Sequence, residues 1–153
     1  MILKKLYQAM NNDLMDRDGY CYHFRMNDDI SMVITKYAAF VMPESEIDHT
    51  ATGSDYKINR DVEQRVFMCL NGGEMIYVGK LTVTLNLLKV KVLLFRDCFG
   101  MFYMIRYTGT AEMLAKDKEV RCKRYQEMIS WFCPDDDFPI YAASVIPGNL
   151  VYA

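Results

Sequence analysis

Apolar side chains recur at every second position in several separate stretches of this chain, and a period of two is the signature of a strand with one buried face. Tyr20, Tyr22, Phe24 and Met26 alternate with Cys21, His23 and Arg25, while Leu81, Val83, Leu85 and Leu87 alternate with Thr82, Thr84 and Asn86. After Leu87 the apolar phase slips by one, to Leu88, Val90, Val92 and Leu94, which reads as a bulge or bend near Leu87. Asn27, Asp28 and Asp29 form a turn ahead of two further strands, Ile30 to Thr35 and Tyr37 to Met42, closing at Pro43 as an antiparallel meander. Asp97-Cys98-Phe99-Gly100 carries the turn residues to join 90–95 to 101–107 as a hairpin.

Helical spacing appears in three places. Leu3, Leu6, Tyr7 and Met10 predict a short amphipathic helix over 2–11. Asp61 and Gln64 resemble a capping box, Val62, Val66 and Cys69 or Leu70 form a stripe, and Asn71-Gly72-Gly73 stops it, so a second helix is predicted near 61–70. Thr108-Gly109-Thr110 leads into a long predicted helix, 112–133, with Cys122, Tyr125, Ile129 and Phe132 on one face, Lys116, Lys123 and Glu127 on the other, and Pro134 beyond its end. Phe138 to Val145 and Leu150 to Tyr152 read as strands around the turn Ile146-Pro147-Gly148-Asn149, and the chain ends within the second. Residues 44–58 are polar and without period, the expected mobile loop. A chain of 153 residues, 52% hydrophobic and 25% charged, suits one core. The expected fold is a single α+β domain over 1–153, an antiparallel sheet packed by two or three helices.

Several function classes are disfavoured. No apolar run approaches the roughly 20 residues of a membrane helix, and the amino terminus lacks the apolar centre of a signal peptide, so a cytoplasmic protein is expected. Cys21, Cys69, Cys98, Cys122 and Cys133 are odd in number and contain no Cys-x-x-Cys, which indicates neither a disulfide framework nor a zinc ribbon and suits small buried hydrophobes. No cofactor, metal site or catalytic residue is expected. The net charge of −2 hides a division: residues 80–124 hold ten Lys/Arg against four Asp/Glu, and the other 108 positions hold eight against sixteen. Such a chain can offer an electropositive face to phosphate or to an acidic protein.

Three segments together carry a family resemblance: the opening Leu3-Lys4-Lys5-Leu6-Tyr7, the strand pair ISMVITKYAAFVMP from Ile30 to Pro43, and the closing FPIYAASVIPGNLVY. They resemble small single-domain proteins of bacterial viruses and mobile elements that are similar to one unit of a DNA sliding clamp. The Asp-Gly usual in the first hairpin of that family is Thr35-Lys36 here, and its closing Leu-Pro or Met-Pro segment is absent. The resemblance implies a curved antiparallel sheet backed by helices and a binding role, with several units needed to encircle DNA. It makes the helix carrying Lys116, Lys118, Arg121, Lys123 and Arg124 the DNA side.

The candidate binding residues follow from charge. Lys89 and Lys91 share a strand face, and with Lys116, Lys118, Arg121, Lys123 and Arg124 they form a set that would contact phosphates without reading bases. The acidic set, Asp28, Asp29, Glu44, Glu46, Asp48 and Asp135 to Asp137, would face a basic groove on a protein or nucleoprotein target. Cys21 beside His23 suggests an activated thiolate, and His49 a third metal ligand, but neither has an orienting group, and an exposed histidine with a packed cysteine is the simpler reading. Asp135, Asp136 and Asp137 read as a solvated turn. The preferred expectation is a non-enzymatic binding protein of a phage or mobile element that occupies a surface on its target, for example to inhibit a host defence nuclease. The alternatives are a clamp-like multimer that holds DNA through 80–124 and, least favoured, a Cys/His hydrolase.

Overall fold

Two antiparallel sheets and three α-helices make up the computed structural model, which describes residues 2–15, 22–25, 29–35, 38–46, 60–133, 137–147 and 151–152. In chain order the elements are α1 (Ile2–Met15), β1 (Tyr22–Arg25), β2 (Ile30–Ile34), β3 (Ala39–Pro43), α2 (Arg60–Met68), β4 (Gly73–Glu74), β5 (Ile76–Leu85), β6 (Leu88–Arg96), β7 (Phe102–Arg106), α3 (Gly109–Lys116), β8 (Arg121–Tyr125), β9 (Met128–Phe132), β10 (Pro139–Ser144) and β11 (Val151–Tyr152). The first sheet runs β1-β2-β3-β10-β9-β8-β4 and the second β11-β5-β6-β7. A bridge between Ile105 and Val145 and the bond from Ile146 N to Met104 O join them along β7.

The central strands of the larger sheet, β3, β10 and β9, are buried on both faces. Along β9, Met128 and Phe132 face α2, while Ile129 and Trp131 face α1, α3 and the smaller sheet. Along β3, Ala39 and Val41 take the α2 side and Phe40 and Met42 the other. Trp131 lies edge-on to both Phe95 of β6 and Tyr141 of β10, with ring centroids 5.9 and 5.4 Å apart, and so ties the sheets together. A register shift between Pro139 and Tyr141 lets consecutive Ile140 and Tyr141 serve the same core.

The expected α+β class and antiparallel meander are present, with β1, β2 and β3 pairing in order. The long helix over 112–133 is not. Thr108 caps α3 by accepting from Ala111 N at 3.0 Å, but Asp117 ends it, and Asp117 Oδ1 accepts from Glu119 N in the turn that follows. The remainder is the hairpin β8–β9, closed at Tyr125 and Met128 across Gln126-Glu127, with Gln126 at φ 52°. Cys122, Tyr125, Ile129 and Phe132 match a helical stripe, yet Met128 to Phe132 are all buried, and a strand in a sheet covered on both sides satisfies all five at once.

The phase slip at Leu87 also proves to be something else. It is a complete reversal: Leu85 pairs with Leu88, and Asn86 and Leu87 form a two-residue turn with φ of 49° and 69°. The bulge in β5 lies instead between Tyr77 and Gly79. The closing strand-turn-strand splits between sheets, β10 in the larger and β11 paired to β5, and its 148–150 turn lies outside the described residues. Of the polar 44–58 segment, Glu44–Glu46 form one 3-10 turn and 47–58 lie outside the described residues.

Two substitutions test this backbone. Leu87 is 88% exposed and holds a left-handed conformation that favours glycine, so Leu87→Gly should raise stability by about 0.5–1 kcal/mol in urea unfolding. Gly72 caps the turn after α2, where an added Cβ would lie 1.9 Å from the Arg124 carbonyl oxygen. Gly72→Ala should therefore cost at least ~2 kcal/mol in the same assay.

Candidate interaction surface

The smaller sheet has one face in the core and one turned away from it. Tyr77, Leu93, Phe95, Tyr103 and Ile105 pack inward. Register then places the opposite side chains in rows: Ile76, Arg96 and Phe102; Gly79, Leu94 and Met104; Leu81, Val92 and Arg106; Val83 and Val90. On this outer face Val92 and Leu85 are buried, whereas Ile76, Leu81 and Phe102 are exposed, at 55%, 37% and 58%, as are Leu88 beside the β5–β6 turn and Val78 at the bulge. Phe99 and Met101 continue the exposed apolar surface at the β6–β7 turn.

That turn is rigidly built. Asp97 is buried, and its Oδ1 accepts from Phe99 N and Met101 N, both at 2.9 Å. Gly100 completes the turn at φ 82°, and the Arg124 guanidinium stacks 4.1 Å from the Tyr103 ring beside it. Exposed apolar groups are therefore held in place here by a satisfied polar network rather than by contacts of their own.

Sequence reasoning missed Ile76, Val78, Gly79, Leu81, Leu88 and Phe102 as a surface. The alternation of Leu81 and Val83 with Thr82 and Thr84 was visible, but alternation marks two faces without saying which is covered. Another signal lay in the charge pattern: β5, β6 and β7 contain Lys80, Lys89, Lys91, Arg96 and Arg106 and no Asp or Glu.

The predicted basic set is dispersed. Because the 112–133 helix is absent, Lys116 ends α3, Lys118 is exposed in the connection, and Arg121, Lys123 and Arg124 belong to β8. Three of these cations hold the fold together. Arg121 meets the Cys133 carbonyl and Asp137 at 3.1 and 3.2 Å, Lys123 donates to the Leu70 carbonyl after α2, and Arg124 donates to the Gln126 carbonyl. Lys116 and Lys80 both pair with Glu112 of α3; desolvation, the largest single influence, raises its pKa, but the hydrogen bonds and charges of the two lysines together outweigh it and leave the pKa lowered. Lys89 and Lys91 are exposed and share one face of β6, with Lys91 6.0 Å from the Tyr107 ring. The basic helix implied by the clamp resemblance is thus replaced by a strand with cations on both its faces.

Of the acidic set, Asp29, Glu44 and Glu46 come together: Asp29 O accepts from Glu44 N at 2.8 Å, Glu44 accepts from the Ser31 hydroxyl, and Asn11 binds the Glu46 carbonyl. They adjoin an apolar groove of about 520 Å³ between α1 and the ends of β3 and β10, whose wall includes Tyr7, Pro43, Phe138 and Asp137. Burial, reinforced by Cys133 and Glu46, raises the Tyr7 pKa and keeps its hydroxyl protonated. Asp28, Asp48, Asp135, Asp136, Cys21 and His49 lie outside the described residues, and His23 is placed in β1 by its backbone. Among the described residues, no three His, Cys, Asp or Glu side chains gather as a metal-ligand set, and no helix is long and apolar enough to cross a membrane.

Compared with protein-family models, curated proteins and solved structures, the chain matches none. The likeness to a clamp unit therefore rests on the three sequence segments that carry it.

The thiols divide sharply, and Cys98 departs from the buried role expected of it. Burial raises the pKa of Cys69 and raises that of Cys122 further, whereas Cys98 is exposed in the β6–β7 turn. Both raised groups stay protonated at neutral pH and gain thiolate only as pH rises towards their pKa. At pH 7 iodoacetamide should label Cys98 well before Cys69 or Cys122, with peptide mass spectrometry recording the order; early labelling of Cys122 would contradict this packing.

Proposed function

We propose that this chain is a non-enzymatic binding protein that acts by occupying a surface on a protein target, with the outer face of β5, β6 and β7 as its contact. The observation that carries this reading is that Ile76 and Phe102, in one cross-strand row, and Leu81 on the same face are each more than a third exposed, with Phe99 and Met101 exposed at the adjoining turn. Soluble domains seldom leave contiguous apolar surface of this kind uncovered unless it is used for association. Leu and Ile side chains suit a protein partner better than nucleic acid, whose contacts require cations and stacking rings along one track. Lys89 and Lys91 point from the opposite face of β6, so the outer face does not draw on them.

Gly79 supplies the test, because a Cβ there meets nothing within 4 Å and a substitution leaves the fold intact. In affinity purification from cells that carry the gene, Gly79→Glu should reduce recovery of the partner at least ~10-fold, since a charge buried against apolar surface costs more than 1.4 kcal/mol. Lys118→Glu, remote from this face, should recover it as the unaltered protein does. Retention of every partner by Gly79→Glu would remove the proposal.

A further inference from the structure

We infer that the partner of this face is a protein element whose apolar surface is bordered by Asp or Glu; the inference rests on the outer face being the docking surface. Arg96 stands in the row between Ile76 and Phe102, so an apolar contact covering those two exposed side chains also desolvates the guanidinium. A guanidinium taken out of water in this way is compensated best by a carboxylate, which accepts two charge-assisted hydrogen bonds from it. None is available within the face, because Ile76–Leu85, Leu88–Arg96 and Phe102–Arg106 contain no acidic residue. The carboxylate has to arrive with the partner.

The same reasoning selects against two other occupants. A second copy of this chain, stacked face to face, would bring no carboxylate from these strands to meet Arg96. Nucleic acid would supply phosphate for Arg96 but would lay a charged backbone over Ile76, Leu81 and Leu88, with the sheet's lysines on the other face. An element with an apolar stripe and carboxylates along its border satisfies both requirements. Gly79, opposite Leu94, leaves a gap in the middle row where such an element can approach the sheet backbone.

The probes are two synthetic amphipathic peptides with the same leucine stripe, one bordered by Glu and one by Lys, each titrated with the whole protein and followed by fluorescence anisotropy. The Glu peptide should bind at least ~10-fold more tightly than the Lys peptide. Arg96→Glu should reverse that preference and Gly79→Glu should abolish binding of both, while circular dichroism shows each variant folded. Equal affinity for the two peptides, preference for the Lys peptide, or competition by duplex DNA would overturn the inference, as would a dimer in sedimentation that Gly79→Glu dissolves. If purification from cells shows a partner lost with Gly79→Glu while the peptides are not distinguished, the acid-bordered chemistry falls and the docking face stands. If the peptides are distinguished but Gly79→Glu retains every cellular partner, the proposed function falls instead.

Discussion

Burial of the β9–β10 pair on both faces is the constraint on which the rest of the molecule depends. Five consecutive residues, Met128 to Phe132, are removed from water, and alternation divides them between two cores. On one side Ser130 donates to the Val66 carbonyl at 3.0 Å and Cys69 to the Met128 carbonyl at 3.2 Å, which fixes α2 against the sheet. On the other, Trp131 anchors the aromatic chain that runs from Phe40 through Tyr141 and on to Phe95 and Tyr77. A polar backbone in such a place has to be paired internally, and antiparallel ladders to β8 and β10 pair it.

The smaller sheet inherits an asymmetry from this arrangement. Its inner face completes the aromatic core, but the helices of the protein are already committed: α1 and α3 to the space between the sheets, and α2 to the far side of the larger one. Among the described elements, none is left to cover Ile76, Leu81 and Phe102. An apolar surface that folding leaves exposed while a network around Asp97 keeps its edge rigid is a preorganised contact, and a rigid face loses little conformational freedom when a partner arrives.

Charge follows a similar logic. The excess of Lys and Arg over 80–124 is real, but much of it is spent within the fold, with Lys123 at the carbonyls after α2, Arg124 over Tyr103, and Lys80 with Lys116 at Glu112. Counting charges along a sequence cannot separate cations that hold elements together from those that meet a partner, since both kinds are exposed or half-exposed and differ only in what stands opposite. The acidic residues show the reverse case: Asp29 is far in sequence from Glu44 and Glu46, which share one turn, and meets Glu44 only when β2 and β3 pair.

Local signals were sufficient for the elements whose environment is one-sided. The α1 stripe, the stop of α2 at Gly72, the β2–β3 meander and the Asp97–Gly100 turn were all legible, because a single buried face leaves a clean period and turn residues act on their own backbone, whereas Asp61, expected to cap α2, lies inside the helix and pairs with Arg65. The segment 112–133 was not, because residues buried on both faces lose the period that distinguishes helix from strand, and helical spacing at Cys122, Tyr125, Ile129 and Phe132 was coincidental. The slip at Leu87 was visible, but whether it bends a strand or reverses it depends on the register between Leu85 and Leu88. By itself, then, the sequence determined an α+β chain with antiparallel pairing and a cationic middle. Tertiary structure alone decided that β10 and β11 part into different sheets, that the cations of β8 turn inward to the fold, and that Ile76, Leu81 and Phe102 on the outer face of β5, β6 and β7 stay exposed while Val92 on the same face is buried, because which of two alternating faces is covered, and how far, is settled by what packs against it.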